Sequence, residues 1–189
     1  MKFTNENIVT DHNPLIREVS EEVKLPLSNE DKEILNGLYT YVKNSTDEEI
    51  AKRDNLSPAV GLAAIQVGIK KKMLAVVVDQ YDKNDNLIKY QFALANPKIV
   101  SSSVQKACLK NGEGCLSVPV LHQGHVYRSA RIRVKAYDLL QDKIVTIRAR
   151  GYLAIVLQHE IDHLSGKLYY DYINKKDPDY ILPDAEIIG

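Results

Sequence analysis

The chain has 189 residues, of which 44% are hydrophobic and 26% are charged, as expected for one globular domain that spans residues 1–189. Its 25 lysines and arginines balance 25 aspartates and glutamates, so the net charge gives no general attraction to nucleic acid or to an anionic membrane. The sequence also shows no signal-peptide pattern, no run of eighteen apolar residues and no obvious basic patch, so we predict a cytoplasmic protein with reduced cysteines.

The first predicted element is an amphipathic helix that follows Ser28. Asp31 stands three residues after Ser28, which resembles a capping box. Apolar residues then recur at helical spacing from Ile34 to Val42. A polar connection follows over residues 45–58, with room for one short helical segment.

The segment "AVGLAAIQVG" (residues 59–68) is rich in small residues. Glycine and alanines leave room for a ligand to lie against the backbone, and Gln66 offers a neutral donor for a developing oxyanion. A tight strand-to-turn segment with close packing explains the same residues, and taken alone this second interpretation is favoured.

The middle of the chain predicts strands. Residues 73–79 and 89–100 are apolar and β-branched, and residues 130–138 and 143–151 alternate apolar and polar side chains around a short turn, which predicts a hairpin with one face on the core. A long helix over residues 152–164 comes next, with Gly166 at the expected C-cap. This order predicts an α+β fold in which mostly antiparallel sheets pack around a central helix.

That last helix contains "QHEIDH" (residues 158–163). His159 and His163 are about 40° apart around a helix axis and one turn apart along it, so both imidazoles can reach one ion. Glu160 is rotated by about 100° and can lie beside the ion without binding it, as in H-E-x-x-H sites with two metal ligands and a general base. A solvated helix with two chance histidines is disfavoured, because the pair follows an apolar run.

A catalytic site of this kind commonly has a third protein ligand. Downstream, Asp171 and Asp177 are conceivable ligands at untypical spacings. Upstream, Cys115 lies in the glycine-containing segment "NGEGCLSVP" and would complete a Cys-His-His set, although a lone cysteine is more often an inert buried thiol. Cys108 has no ligand-like neighbours and is expected to be structural.

Another histidine pair, His122 and His125, lies in "VLHQGHVY". Gly124 interrupts any helix there, so the two rings need not share a face. We interpret them as loop histidines at the rim of a site.

Three stretches taken together resemble the peptide deformylase family: "AVGLAAIQ" (residues 59–66), "EGCLS" (residues 113–117) and "QHEIDH" (residues 158–163). The second and third match the family's motifs fully, and the long polar segment before the first is similar to the type II branch of Gram-positive bacteria. Ala59 replaces a glycine of the first motif, and Ile65 stands where this branch often has proline. Both departures concern the shape of the substrate cleft.

The resemblance implies a metal-dependent hydrolase that removes the formyl group from N-formylmethionyl peptides on nascent chains and releases formate. It implies Cys115, His159 and His163 as ligands of one divalent metal ion, usually Fe²⁺, with Zn²⁺, Ni²⁺ or Co²⁺ as alternatives. It further implies three catalytic residues, Glu160, Gln66 and Leu116. The substrate-binding group that it implies consists of Gly61, Gly114, Tyr152, Ile155 and Val156. It also implies a buried ion pair between Glu113 and Arg128.

We also expect a monomer without a specific nucleic acid or membrane partner, and the resemblance implies at most transient ribosome contact. Three other functions compete with it. A protease that cuts internal peptide bonds would need a downstream ligand and a long cleft, which the sequence does not clearly offer. A non-catalytic binding module would not need Glu160 and Gln66, and a structural zinc protein would need a fourth protein ligand.

Overall fold

The computed structural model describes residues 1–82 and 84–189 of the chain. Within these residues the helices are α1 (Asn29–Ser45), α2 (Glu48–Asp54) and α3 (Gly151–His163), and short 3₁₀ turns lie at Asn5–Asn7, Pro14–Arg17, Ala64–Val67 and Tyr169–Tyr172. The strands are β1 (Gly61–Ala63), β2 (Met73–Tyr81), β3 (Leu87–Ser102), β4 (Lys106–Leu109), β5 (Arg128–Ser129), β6 (Arg131–Asp138), β7 (Lys143–Arg150) and β8 (Glu186–Ile188). Over these ranges, every helix is too short or too polar to cross a membrane.

The strands form two sheets. The larger is antiparallel throughout, in the order β1-β2-β3-β6-β7. The smaller has the order β5-β4-β8, with β4 antiparallel to β5 and parallel to β8. The predicted α+β class with mostly antiparallel sheets is therefore confirmed.

Helix α1 covers one face of the larger sheet. The Ser28 hydroxyl accepts a hydrogen bond from the Asp31 backbone N–H at 3.1 Å and donates one to the Asp31 carboxylate at 2.7 Å, so the predicted cap is present. The apolar side of α1, including Leu35 and Leu38, packs in one core cluster with Ala75 of β2 and Ala93 of β3. The short helix expected in the following connection is α2.

Helix α3 lies between the two sheets, which confirms its central position. Leu153 and Leu157 pack on the other face of the larger sheet, while Ile155 packs with Ala107 of the smaller one and with Ala130, which follows β5. The helix ends in an αR C-cap at Leu164, so Gly166 is not the cap that the sequence predicted. Gly166 instead has a φ of +69°, at a point where a Cβ would lie 2.1 Å from the carbonyl oxygen of Arg17.

Strand β3 extends two residues beyond each end of the predicted strand and contains an irregularity. Its pairing with β6 shifts between Ala95 and Lys98, where Asn96 has a φ of +50° and Pro97 cannot donate a ladder hydrogen bond. The predicted hairpin is confirmed as β6 and β7, with Val134 opposite Ile147 on the core face. The inward side chains of this hairpin pack with those of α3 in one core cluster.

Candidate active site

Three segments of the chain meet at the candidate site. Strand β1 and the 3₁₀ turn after it contribute Gly61 and Gln66. The long connection between β4 and β5 contributes Cys115, and α3 contributes His159 and His163 from successive turns of one face. Residues from the three motifs, which are far apart in sequence, therefore become neighbours.

The Cys115, His159 and His163 side chains converge on one point. Cys115 Sγ lies 3.3 Å from His163 Nε2, and His163 Nε2 lies 3.2 Å from His159 Nε2. One ligand atom from each residue falls within 4.8 Å of the others. A thiolate with two imidazoles is a donor set that suits a borderline divalent metal, and three protein ligands leave a fourth position open. Burial lowers the pKa of His163 well below its ordinary value, so its ring is neutral, as a metal ligand must be.

The other candidate ligands lie elsewhere. The carboxylate of Asp171 forms an ion pair with Arg17 at 2.5 Å, and Asp177 is exposed. Cys108 is buried and unpaired with Cys115, so both thiols are free as predicted. Burial raises the pKa of the Cys108 thiol, which keeps it protonated and unreactive.

A buried charge network supports His159, the histidine that lines the cavity. His159 Nδ1 lies 2.7 Å from the carboxylate of Glu113, so Nδ1 carries a proton that it donates to Glu113. Burial lowers the pKa of His159, but hydrogen bonds to Cys115 and Glu113 outweigh it and raise the pKa to about 10, so a cation would have to displace the proton from Nε2. Arg128 donates two hydrogen bonds to Glu113, at 2.6 and 3.0 Å, and a third to Asp162 at 2.8 Å. Burial alone would raise the pKa of Glu113, but hydrogen bonds from His159 and Arg128 outweigh it and hold the pKa below its usual range. The ion pair implied by the family resemblance is therefore present, and Asp162 is an unpredicted member of it.

Glu160 is a buried carboxyl group next to this cluster. Among the residues described, its Oε2 atom has no hydrogen-bond partner. Burial raises the pKa of Glu160 to about 7, close to the value at which a group both accepts and releases a proton near neutrality. A Cβ at Gly61 would lie 2.4 Å from Glu160 Oε1, so the absence of a side chain at Gly61 makes room for the carboxyl group.

Gln66 is held with its amide nitrogen toward the cluster. Its Oε1 accepts the Ala63 backbone N–H at 2.8 Å, which fixes the orientation of the amide. Its Nε2 then donates to the Ser117 hydroxyl at 3.2 Å and to Cys115 Sγ at 3.5 Å. Close packing and an oriented donor coexist here, so the two interpretations of this segment do not exclude each other. Ser117 was not singled out, although it lies inside the second motif.

A cavity of about 450 Å³ opens beside the cluster. Every residue of the predicted substrate-binding group lines it, together with Leu116, Cys115, His159 and Glu160, while Gln66 and His163 lie behind its wall. Ala59 also lines the cavity, whereas Ile65 is fully buried in the core, so only the first departure from the motif touches the cleft. Thr46 and Leu109 line it as well, and nothing in their local sequence indicated this.

The loop histidines do not line the cavity. The His122 ring lies 4.3 Å from the Tyr170 ring, and its backbone N–H donates to the Tyr169 hydroxyl at 3.0 Å. The Tyr169 ring in turn stacks on His159, with 6.2 Å between ring centroids. The prediction that both histidines lie in a loop is confirmed. The tyrosines of the last 3₁₀ turn lie between His122 and His159, and a position at the rim of the site stays a prediction.

Residues 5–179 match the family model described as polypeptide deformylase. A peptide deformylase of Listeria monocytogenes is 45% identical over 187 residues, which cover 99% of this chain and 100% of that protein. Peptide deformylase 2 of Bacillus subtilis is 49% identical over 176 residues, which cover 93% of each chain.

Solved structures agree with these relatives. The peptide deformylase of Ehrlichia chaffeensis in complex with actinonin has a TM-score of 0.71 and 32% identity, over 94% of this chain and 92% of that one. A class I type b peptide deformylase from Acinetobacter baumannii with bound Met-Ala-Ser has a TM-score of 0.67 and 25% identity, over 88% and 96% of the two chains.

Proposed function

The chain belongs to the polypeptide deformylase family, and we propose that Glu160, Gln66 and the backbone N–H of Leu116 carry out the family's reaction here. That reaction is the metal-dependent hydrolysis of the N-formyl group at the N-terminal methionine of newly made polypeptides, with release of formate. The single observation that supports these roles is the convergence of Cys115, His159 and His163 beside a buried, unpartnered Glu160.

Cys115, His159 and His163 would hold one divalent cation, which when bound supplies Lewis-acid activation of a water and of the formyl oxygen. Fe²⁺ is our choice for the cellular metal, with Zn²⁺, Ni²⁺ and Co²⁺ as ions that the same thiolate-imidazole set accepts. The Glu113 carboxylate orients His159 for this role through its 2.7 Å contact.

Glu160 is the proton carrier of the proposed mechanism. Its free carboxylate oxygen accepts the proton of the attacking water, and the same group then delivers that proton to the amine that leaves as the new N-terminus. A carboxyl group with a pKa near 7 suits both steps, since neither protonation state is strongly favoured.

The developing oxyanion needs donors that are already in place. Gln66 is held by the Ala63 N–H and Ser117, so its Nε2 requires little reorganisation to face the formyl oxygen. The Leu116 N–H provides a second donor from the residue after Cys115. Removing one such donor typically costs about 2.7–4 kcal/mol of transition-state stabilisation.

The methionine side chain of the substrate would enter the 450 Å³ cavity. Tyr152, Ile155 and Val156 supply an apolar wall from the first turns of α3, and Gly61 and Gly114 let the substrate backbone approach closely. An unbranched thioether adapts well to such a pocket.

We further propose a single catalytic domain over residues 1–189 that works as a cytoplasmic monomer. Its partners would be N-formylmethionyl peptides on nascent chains, with transient contact to the ribosome.

One assay separates deformylation from cleavage of internal peptide bonds. The anaerobically purified, metal-loaded protein is incubated with formyl-Met-Ala-Ser and with an internally quenched peptide that lacks a formyl group. We expect formate from the first and no fluorescence from the second. Fluorescence without formate would contradict the proposal and favour a protease.

A further inference from the structure

Four arginines form a two-by-two array on the hairpin of β6 and β7. Arg131 stands directly opposite Arg150, and Arg133 stands opposite Arg148. All four side chains are exposed, while the residues between them along each strand belong to the core. The arginines therefore share the outer face of the sheet, beyond the part that α1 covers.

Among the described residues the array lacks close ion-pair partners, although the Asp82 carboxylate interacts with the charge of Arg150 at longer range. Within residues 1–82 and 84–189, none of the four arginines has a carboxylate oxygen within 4.0 Å. Arg131 donates to the neutral Gln105 side chain at 3.0 Å. Like charges directly opposite each other destabilise a sheet, so the free protein carries an electrostatic cost that a bound anion would relieve.

The cationic face continues along the sheet. Lys135 is the next outward-facing residue of β6 after Arg133, and it stands opposite Lys98 of β3. The sequence showed no basic patch because these cations come from three strands and alternate with apolar residues. Strand pairing concentrates them, although the net charge of the whole chain is zero.

The spacing and the chemistry of the array suit a chain of phosphates. Alternate residues of a strand stand about 6.6–6.8 Å apart, and the Cβ atoms of opposite residues about 4.5–5.5 Å apart, so the four arginines start from a regular grid of backbone positions. The four arginines and Ser101–Ser103 line a depression of about 530 Å³. Guanidinium groups bind phosphate oxygens bidentately, and serine hydroxyls also donate to them.

We propose that this arginine face, formed by Arg131, Arg133, Arg148 and Arg150, binds the phosphodiester backbone of RNA. The contact is independent of base sequence, because guanidinium and hydroxyl groups directed at phosphates carry no base readout. It goes beyond the deformylase reaction and does not depend on it.

The test measures fluorescence anisotropy of a labelled 20-nucleotide single-stranded RNA at 50 and 200 mM KCl. Four phosphate contacts predict that the affinity of the wild type falls about 50-fold between these salt concentrations. The variant R131Q/R133Q/R148Q retains Arg150, the N-cap residue of α3, and should bind at least tenfold more weakly with a shallower salt dependence. The matched control removes three exposed lysines elsewhere, K32Q/K52Q/K176Q, and should bind like the wild type.

Competitors identify the ligand. Inorganic phosphate at the same phosphate concentration, and poly-glutamate at the same charge concentration, should displace the RNA at least tenfold less well than unlabelled RNA. Equal competition by phosphate would reduce the site to a simple anion site, and equal competition by poly-glutamate would make an acidic polypeptide the occupant. Either result overturns the proposal, as does equal loss of binding in the arginine variant and the lysine control.

Folding and catalysis are checked on the same samples. None of the three substituted arginines lines the active-site cavity, so formate release from formyl-Met-Ala should stay within twofold of the wild type. The thermal midpoint of the variant at low salt should equal or exceed that of the wild type, because like-charge repulsion is removed. A lower midpoint would mean that the arginines make stabilising contacts in the free protein, which would contradict the proposal. Absence of formate release by every sample would refute the proposed function and leave the RNA result intact.

Discussion

Gly61 shows how a single missing side chain makes room for the proposed chemistry. A methyl group there would lie 2.4 Å from Glu160 Oε1, which is closer than any real contact allows. Gly114 is the contrasting case, because a Cβ there would meet nothing within 4 Å. Both glycines line the cavity, and only Gly61 touches the proton carrier.

The first prediction follows from this contrast. Gly61→Ala should displace the Glu160 carboxyl group and lower kcat about 100-fold, the usual effect of an approximately 1 Å misplacement. Gly114→Ala is the matched control and should change KM for formyl-Met-Ala more than kcat. Steady-state kinetics of formate release measures both, and a wild-type kcat in Gly61→Ala would refute the close contact.

Most of the proposed site could be predicted at the level of single residues, because each of the three motifs is an unbroken stretch of sequence with a specific pattern. The sequence predicts Cys115, His159 and His163 as one ligand set, and in the structure their side chains converge. Tyr169 could not be found in this way, since its stacking on His159 depends on the return of the chain after α3. The same holds for Leu109, which reaches the cavity only through the small sheet.

At the scale of elements, a buried charge network ties α3 to the connection that contains Cys115. Arg128 at the start of β5 bridges Glu113 in that connection and Asp162 on α3. Glu113 also holds His159, whereas Asp162 does not. Removing one partner of such a buried pair typically costs about 3–5 kcal/mol, because the remaining charge is unpaired.

The second prediction separates support of the metal site from support of the fold. Glu113→Gln should weaken metal binding roughly 10- to 100-fold, since His159 loses its anionic partner. Asp162→Asn, which removes the other carboxylate that contacts Arg128, should leave metal affinity close to that of the wild type. Equilibrium dialysis against a competing chelator gives the comparison, and equal affinities in the two variants would exclude the special role of Glu113.

The long, periodic elements could be predicted from sequence, and the short strands of the smaller sheet could not. Helix α1, the β6–β7 hairpin and α3 each carry enough residues for a clear pattern. Strands β4, β5 and β8 contain two to four residues, and the parallel pairing of β8 with β4 joins distant parts of the chain. Short strands of this kind are fixed by tertiary contacts and leave no local signal.

At the scale of the whole molecule, the proposed metal links segments that are far apart in sequence. One ligand comes from the connection after β4 and two from α3, and the core residue Leu153 joins that helix to the larger sheet. A cation that binds the folded state and not the unfolded chain stabilises the protein by mass action. Folding also redistributes charge over the surface. Strand pairing brings four arginines onto one face of the protein, although the net charge of the chain is zero.

The third prediction concerns this linkage. Removal of the metal with a chelator should lower the unfolding free energy by about 2.7 kcal/mol from its value at a metal concentration of 100 Kd. For a chain of this length the thermal midpoint should fall by roughly 5–10 °C. Differential scanning calorimetry measures the shift, and Cys115→Ser serves as the control with a smaller one. Identical shifts in both proteins would remove Cys115 from the ligand set.

The most direct test of the account is the rate of formate release from formyl-Met-Ala by Glu160→Gln, measured on a sample whose metal content has been determined. The substitution keeps the shape of the side chain and removes the carboxylate, while the Cys115, His159 and His163 ligands are unchanged. We predict a full complement of metal and a loss of at least 1,000-fold in kcat, within the range of general acid–base catalysis combined with water activation, about 10²–10⁴. A metal-loaded Glu160→Gln protein that releases formate at a rate near that of the wild type would contradict the proposed mechanism.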